Sequence, residues 1–266
     1  MYDREKIIPS MVRSLIDADI ISVSEIARKT DSGRAVVTRI IERLEDKGVV
    51  KRLEKGVSID ADVISVLLKI RRKNAELVAF AGNKELRRVK IRIADSLTYE
   101  QNVNSLCVDL RTFLNSLGSY RYVTCALIHD KIMAPIGRRP SLFNEYYSME
   151  SLAASAVSEV GANGLTLYLD EMEDMLLLCR NGEDVAPCGN MDGDVYRAIQ
   201  NVFGFARPDV VVFEEGSVSD SDAIKSLCVK HSVKAVSVGN DSCLSIVERE
   251  AVCRLLSGLT LDLMSK

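Results

Sequence analysis

One order of elements occurs twice in this chain, and it constrains the fold more than any single motif. Apolar runs at 66–70, 75–80 and 86–93 predict three strands, the last two joined by a Gly82-Asn83 turn. Helical spacing follows over 99–117 through Val103, Leu106, Leu110, Phe113 and Leu114, and 122–128 returns to strand. The same order then recurs: runs at 165–169 and 175–179, an Asn181-Gly182 turn, a short strand at Val185, a helix over 192–203 and a strand at 210–213. A helix at 223–230, a strand at 235–238 and a closing helix at 244–256 complete the second copy. Two copies of one strand, strand, strand, helix, strand unit predict a duplicated α/β fold. Residues 60–66 are expected to be a linker that becomes a strand.

The first sixty residues have a different character. Ile7, Ile8, Met11, Val12 and Leu15 repeat at three and four residues, which predicts an amphipathic helix over 3–17. Ser22 or Ser24 caps a short helix containing Ile26 and Ala27, and Thr30-Asp31-Ser32-Gly33 makes a tight turn. Val36, Val37, Ile40, Ile41 and Leu44 then line one face of a third helix that stops at Gly48. Two short strands, 49–53 and 57–59, are separated by Glu54-Lys55-Gly56 and form a two-stranded wing. The expected domains are therefore 1–60, a helix, turn, helix and wing, and 61–266, with a first lobe over about 63–146 and a second over about 147–266.

Charge separates the same two parts. Residues 1–93 hold 21 basic and 14 acidic side chains, a balance of +7, whereas 94–266 hold 14 and 24, a balance of −10. The net charge of −3 hides a basic front end suited to a polyanion. A helix presented after a tight turn fits the major groove and aims its outer face at base edges. Arg34, Thr38, Arg39 and Glu42 occupy that face, and Lys51, Arg52 and Lys55 on the wing are placed for phosphates. The stretch 22–55 resembles the winged helix-turn-helix of bacterial repressors, with their Ser-Arg-Ala-Thr-Val-Ser-Arg recognition helix. Here Gly33-Arg34-Ala35-Val36-Val37-Thr38-Arg39 departs from that pattern at Gly33 and Val36, losing two hydroxyls that often contact phosphate. The expected partner is double-stranded DNA. A solvated charged helix, or a winged helix that docks protein, is the alternative.

Other classes of protein are set aside by composition. No apolar run approaches the ~20 residues a bilayer crossing needs, and residues 1–6 are charged where a signal peptide would be apolar. Seven cysteines, an odd number, stand at 107, 125, 179, 188, 228, 243 and 253 with no two-residue spacing, beside only two histidines. Reduced, buried thiols in a cytoplasmic protein are expected, with neither a disulfide framework nor a metal.

Duplicated units of this order are the actin-like, or ribonuclease-H-like, ATPase architecture. With a winged helix in front, the chain resembles the ROK family, whose members are sugar kinases and sugar-responsive repressors, although it is shorter and the first lobe looks trimmed after Ile128. Kinases of that family open the first lobe with an Asp-Ile-Gly-Gly-Thr turn, whose glycines let the backbone approach phosphate. The matching positions here are Lys69, Ile70, Arg71, Arg72 and Lys73, a degenerate phosphate loop expected to be a solvated basic hairpin. The family's catalytic Asp aligns with Ser151, next to Glu150, and a serine hydroxyl is no general base near neutral pH. The family's zinc signature is reduced to Cys188, and its Gly-rich adenosine segment to Phe213-Glu214-Glu215-Gly216, whose two carboxylates would repel a nucleotide.

The resemblance thus implies a DNA-binding transcriptional regulator and homodimer. Its sugar-kinase-like part is inactive, without catalytic residues or cofactor, and is kept for dimerisation or for sensing a sugar-like effector. The alternatives are an active carbohydrate kinase of unusual chemistry and an interaction scaffold. Calorimetry with ATP and Mg²⁺ is accordingly expected to give no binding heat, and hexoses and amino sugars no phosphoryl transfer; turnover of any of them contradicts the inactive reading.

Overall fold

The computed structural model describes residues 4–70, 74–93, 99–129, 142–160, 164–170, 175–181, 183–187, 194–238 and 244–265. The chain divides into two compact units. The first comprises residues 1–148 with 242–244 and 251–266; the second comprises 149–241 with 245–250.

The first unit opens with three helices, α1 (Arg4–Ala18), α2 (Val23–Lys29) and α3 (Arg34–Asp46), and a hairpin of β1 (Val50–Leu53) and β2 (Gly56–Ile59). The apolar stripe of α1 is buried as its spacing requires, with Ile8 and Met11 wholly so. Of the two candidate caps for α2, Ser22 acts: its hydroxyl accepts from the Glu25 amide at 3.2 Å, with Glu25 favourably in the first turn. The hairpin pairs antiparallel from Val50 opposite Ile59 to Leu53 opposite Gly56. Ile21, between α1 and α2, bridges Val57 through both backbone hydrogen bonds, 3.0 and 2.9 Å, which ties the hairpin to the helices. Gly56 makes that approach possible, because a Cβ there would run into the Ile21 carbonyl and its φ is +155°.

A five-stranded sheet follows within the same unit: β3 (Val63–Ile70), β4 (Asn74–Ala81), β5 (Lys84–Arg92), β6 (Tyr122–His129) and β7 (Glu145–Ser148). Their order in space is β5-β4-β3-β6-β7, antiparallel on the β4 side of β3 and parallel on the β6 side. All eight residues of β3 are buried, as a central strand covered on both faces demands. Helix α4 (Tyr99–Leu117) lays Val103, Leu106, Leu110 and Phe113 on one face. The edge strand β5 is studded with cations, which discourages pairing with a second chain.

The second unit repeats the pattern with α5 (Met149–Glu159), β8 (Thr166–Asp170), β9 (Met175–Arg180), β10 (Glu183–Pro187), α6 (Val195–Phe205), β11 (Val210–Glu214), α7 (Ser221–Lys230) and β12 (Lys234–Val238). The strand order is β10-β9-β8-β11-β12, with β9 antiparallel and β11 parallel to the central β8. This is the same permutation as the first sheet, so the duplication is one of topology as well as of order. Asp194 and Asp220 cap α6 and α7, accepting from Arg197 and Ala223 amides at 3.0 and 2.9 Å. Both helices lie over one face of the sheet, on a core that includes Leu167, Leu169, Val211 and Phe213.

Several expectations change. The presumed linker at 60–66 is short: β3 already begins at Val63, after an Asp60 carboxylate that accepts from the Asp62 amide at 2.9 Å. The first sheet gains a fifth strand, β7, beside β6, which the apolar pattern did not single out. The closing helix α8 (Ile246–Ser265) outruns its expected end at 256, and from residue 251 it groups with the first unit, not with a lobe spanning 147–266. Residues 1–60 likewise group with the first sheet instead of standing apart. The reason is a set of direct ties: the Tyr122 hydroxyl donates to the Lys47 carbonyl at 3.0 Å, and Arg4 Nη1 donates to the Met264 carbonyl at 3.2 Å.

Gly56→Ala should destabilise the protein by about 2 kcal/mol, since it combines a strained φ with a backbone collision. Gly33→Ser should stabilise it by a few tenths of a kcal/mol, roughly the gain of a missing N-cap, because open space surrounds Gly33 and no side chain caps α3. Urea denaturation of the two variants checks both signs.

Candidate nucleic-acid interface

Helix α3 separates its faces cleanly. Val37, Ile40, Ile41 and Leu44 are fully buried against the rest of the bundle, while Arg34, Arg39 and Glu42 are exposed and Thr38 half-buried on the outer side. Arg34, Thr38 and Glu42 follow at four-residue intervals, so they form one line along the helix. Among the described residues, neither Arg34 nor Arg39 makes an ion pair or side-chain hydrogen bond; Arg39 is not engaged by Glu25 or Glu42. Their guanidinium groups are free to make the bidentate contacts that suit guanine edges. Lys51 and Lys55 on the hairpin are exposed as well.

Arg52 departs from its expected role. Its Nε lies 2.8 Å from Glu45 Oε2 and its Nη2 lies 3.9 Å from Glu42 Oε1, so α3 holds a side chain expected to be free for phosphate. The partners are 42% and 39% exposed for Arg52 and Glu45, which puts the pair in the range of ~0–1 kcal/mol. Glu42 is drawn into the same group.

Lys69 is also placed differently. It is not in a solvated turn but near the end of β3, 2% exposed, with Nζ 2.7 Å from Glu76 Oε2 on the residue directly opposite in β4. Arg88 Nη1 reaches the same oxygen at 2.9 Å, and Arg88 Nη2 binds Glu85 at 2.7 Å. A buried lysine must be paired to stay charged, and this network supplies the pair from within the sheet. Arg71, Arg72, Lys73 and Cys188 lie outside the described residues. Ser151 is exposed in the first turn of α5, and Glu150 beside it is 8% exposed. Among the described residues no three His, Cys, Asp or Glu side chains are grouped to hold a metal. The cysteines at 107, 125, 179, 228 and 253 are buried free thiols, and burial pushes those of Cys125 and Cys228 up to about 11, far from a reactive thiolate.

Sequence reasoning missed a second electrostatic feature, in the second unit. Glu214, at the carboxyl end of β11, lies in the segment whose carboxylates are expected to repel a nucleotide. Instead it is 4% exposed and accepts from the Ile246 amide at the start of α8. Burial pushes its carboxyl up to about 7, against the lowering effect of that amide, and the neighbouring Asp170 and Glu248 carboxylates add to the rise. Asp170 ends β8, 1% exposed, with the Tyr168 hydroxyl donating to it at 3.3 Å. A single Glu closing an apolar run carries no sign that two more acids will pack beside it.

Two sheets of identical strand permutation behind a three-helix and hairpin segment make up an actin-like fold with an N-terminal helical segment. The chain has the fold of a ROK family transcriptional regulator, a homolog of the E. coli Mlc protein: the two superpose over 98% of both chains with a TM-score of 0.61 and 9% sequence identity. Weaker likenesses are a ROK hexokinase from Thermus thermophilus, covering 77% of this chain and 100% of that one at TM-score 0.43 and 11% identity, and a Bacteroides thetaiotaomicron protein of unknown function with an actin-like ATPase fold, covering 72% and 96% at TM-score 0.43 and 9% identity. No protein-family signature and no curated protein matches the sequence.

Glu214 makes stability depend on pH in a defined sense. Its carboxyl lies near 4.5 when unperturbed and about 7 when folded, so folding takes up a proton between those values. Stability should therefore fall as pH rises through that window, by up to about 3 kcal/mol. Urea midpoints at pH 5 and pH 7.5 should show the loss, and Glu214→Gln should remove most of it.

Proposed function

We propose that this chain is a sequence-specific DNA-binding transcriptional regulator, whose residues 1–60 form a winged helix-turn-helix. The observation that carries the reading is the pair of unpartnered guanidinium groups, Arg34 and Arg39, on the exposed face of a helix set between a tight turn and a hairpin bearing Lys51 and Lys55. Arg34, Thr38, Arg39 and Glu42 face base edges, and the hairpin lysines take phosphates. The fold likeness to a ROK regulator over nearly the whole chain supports it.

The remainder of the chain serves effector sensing or dimerisation, without phosphoryl transfer. Lys69 stands where the family's kinases carry an acid and is consumed by Glu76, and Ser151 stands where they carry the base. A reader of this size covers one half-site, so a homodimer working on a two-fold operator in the cytoplasm completes the reading. The effector would be a sugar or a sugar derivative. No helix among the described residues is long and apolar enough to cross a membrane.

Arg39→Ala tests the assignment. A bidentate guanine contact is worth ~1–3 kcal/mol of discrimination, so this variant should lose roughly 10- to 100-fold on an operator selected by the wild-type protein and far less on random duplex. Equal losses on both would show that Arg39 reads no base. No binding of any duplex at low salt would leave the reader as a protein-docking module.

A further inference from the structure

Of the three hairpin cations assigned to DNA, only Arg52 is already held by carboxylates among the described residues. Its guanidinium lies 2.8 Å from Glu45 and 3.9 Å from Glu42, both on α3. One cation between two carboxylates gives these three groups a net charge of −1, and the hairpin lysines beside them are free. Carboxylate oxygens meet the guanidinium fork much as phosphate oxygens do. The partners are partly exposed, so the contact is weak enough to exchange.

We propose that Glu45 and Glu42 act as an internal substitute for a DNA phosphate, from which Arg52 transfers to the backbone only in the operator complex. The proposal rests on the DNA-binding reading above and adds a source of discrimination to it. On random duplex the protein is held by hydrated, exchanging phosphate contacts. A phosphate approaching Arg52 there meets the two carboxylates that already hold it, and taking the guanidinium would strand Glu45. On the operator, Arg34, Thr38 and Arg39 seat α3 in its groove and hold one phosphate at fixed range. The exchange then becomes effectively intramolecular. Glu42, released from Arg52 and one turn beyond Thr38, faces the groove, where the cytosine amino group donates to such a carboxylate. Random DNA is thereby denied a cation that the operator receives, which is discrimination by withholding.

The full-length protein tests this by fluorescence anisotropy on operator and random duplexes across about 0.05 to 0.3 M salt. Glu45→Gln changes a half-buried side chain, is nearly isosteric and removes the charge that retains Arg52. It should steepen the random-DNA slope of log affinity against log salt by about 0.9 and tighten random binding about eightfold at ~0.1 M salt, narrowing the operator preference by that factor. Glu54→Gln makes the same charge change in the exposed hairpin turn without an ion pair to Arg52, and should shift both affinities together. Arg52→Ala should flatten the operator slope by about 0.9 and leave the random slope where it was. Thermal melts confirm that each variant is folded. Glu45→Gln steepening both slopes equally, or neither, overturns the proposal while DNA binding stands. A wild-type protein that binds no duplex overturns the DNA-binding reading, and this proposal with it.

Discussion

Each unit is organised around one strand that pairs antiparallel on one side and parallel on the other. In the first sheet that strand is β3, buried at all eight positions, with β4 antiparallel and β6 parallel to it. In the second it is β8, between antiparallel β9 and parallel β11. The antiparallel side needs only tight turns, such as those at Gly82 and Asn181. The parallel side needs a crossover long enough to return the chain to the same end, and α4 and α6 supply it. Fixing the centre of each sheet therefore dictates where helices must occur in sequence, which is why the element order is repeated even though the residues are not.

Charge is managed locally instead of globally. In a chain of net charge −3, several cations among the described residues meet an acidic partner close at hand. Lys69 and Arg88 share Glu76 within the first sheet, and Arg88 also binds Glu85. Arg52 is held by Glu45 between the hairpin and α3. Arg34 and Arg39 on α3 and Lys51 and Lys55 on the hairpin are exposed and have no acidic partner among the described residues. A count of arginines and lysines is therefore a poor guide to how many stand without an acidic partner.

The helix-and-hairpin segment and the first sheet also depend on each other. The Ile21 to Val57 bridge closes the hairpin onto the helices, and the Tyr122 hydroxyl fastens the end of α3 to β6 through the Lys47 carbonyl. Such contacts fall between residues far apart in the chain, so a boundary drawn at residue 60 from the order of elements separates segments that fall in one compact unit.

What the sequence alone determined follows from periodicity and turn chemistry, both of which are local. Alternating and continuous apolar runs located nearly every strand, and three- and four-residue spacing located α1, α3 and α4, because burial of one face is written into successive residues. The outward line of Arg34, Thr38 and Glu42 was legible for the same reason. Tertiary structure decided what each charged group meets. Whether Lys69 lines a loop or a strand depends on its register against Glu76, whether Arg52 is free depends on how the hairpin folds onto α3, and whether Glu214 faces solvent or a helix start depends on α8, thirty-two residues further on. The energy of an ionic group is set by partners a few ångströms away in space, and those partners are not neighbours in the chain.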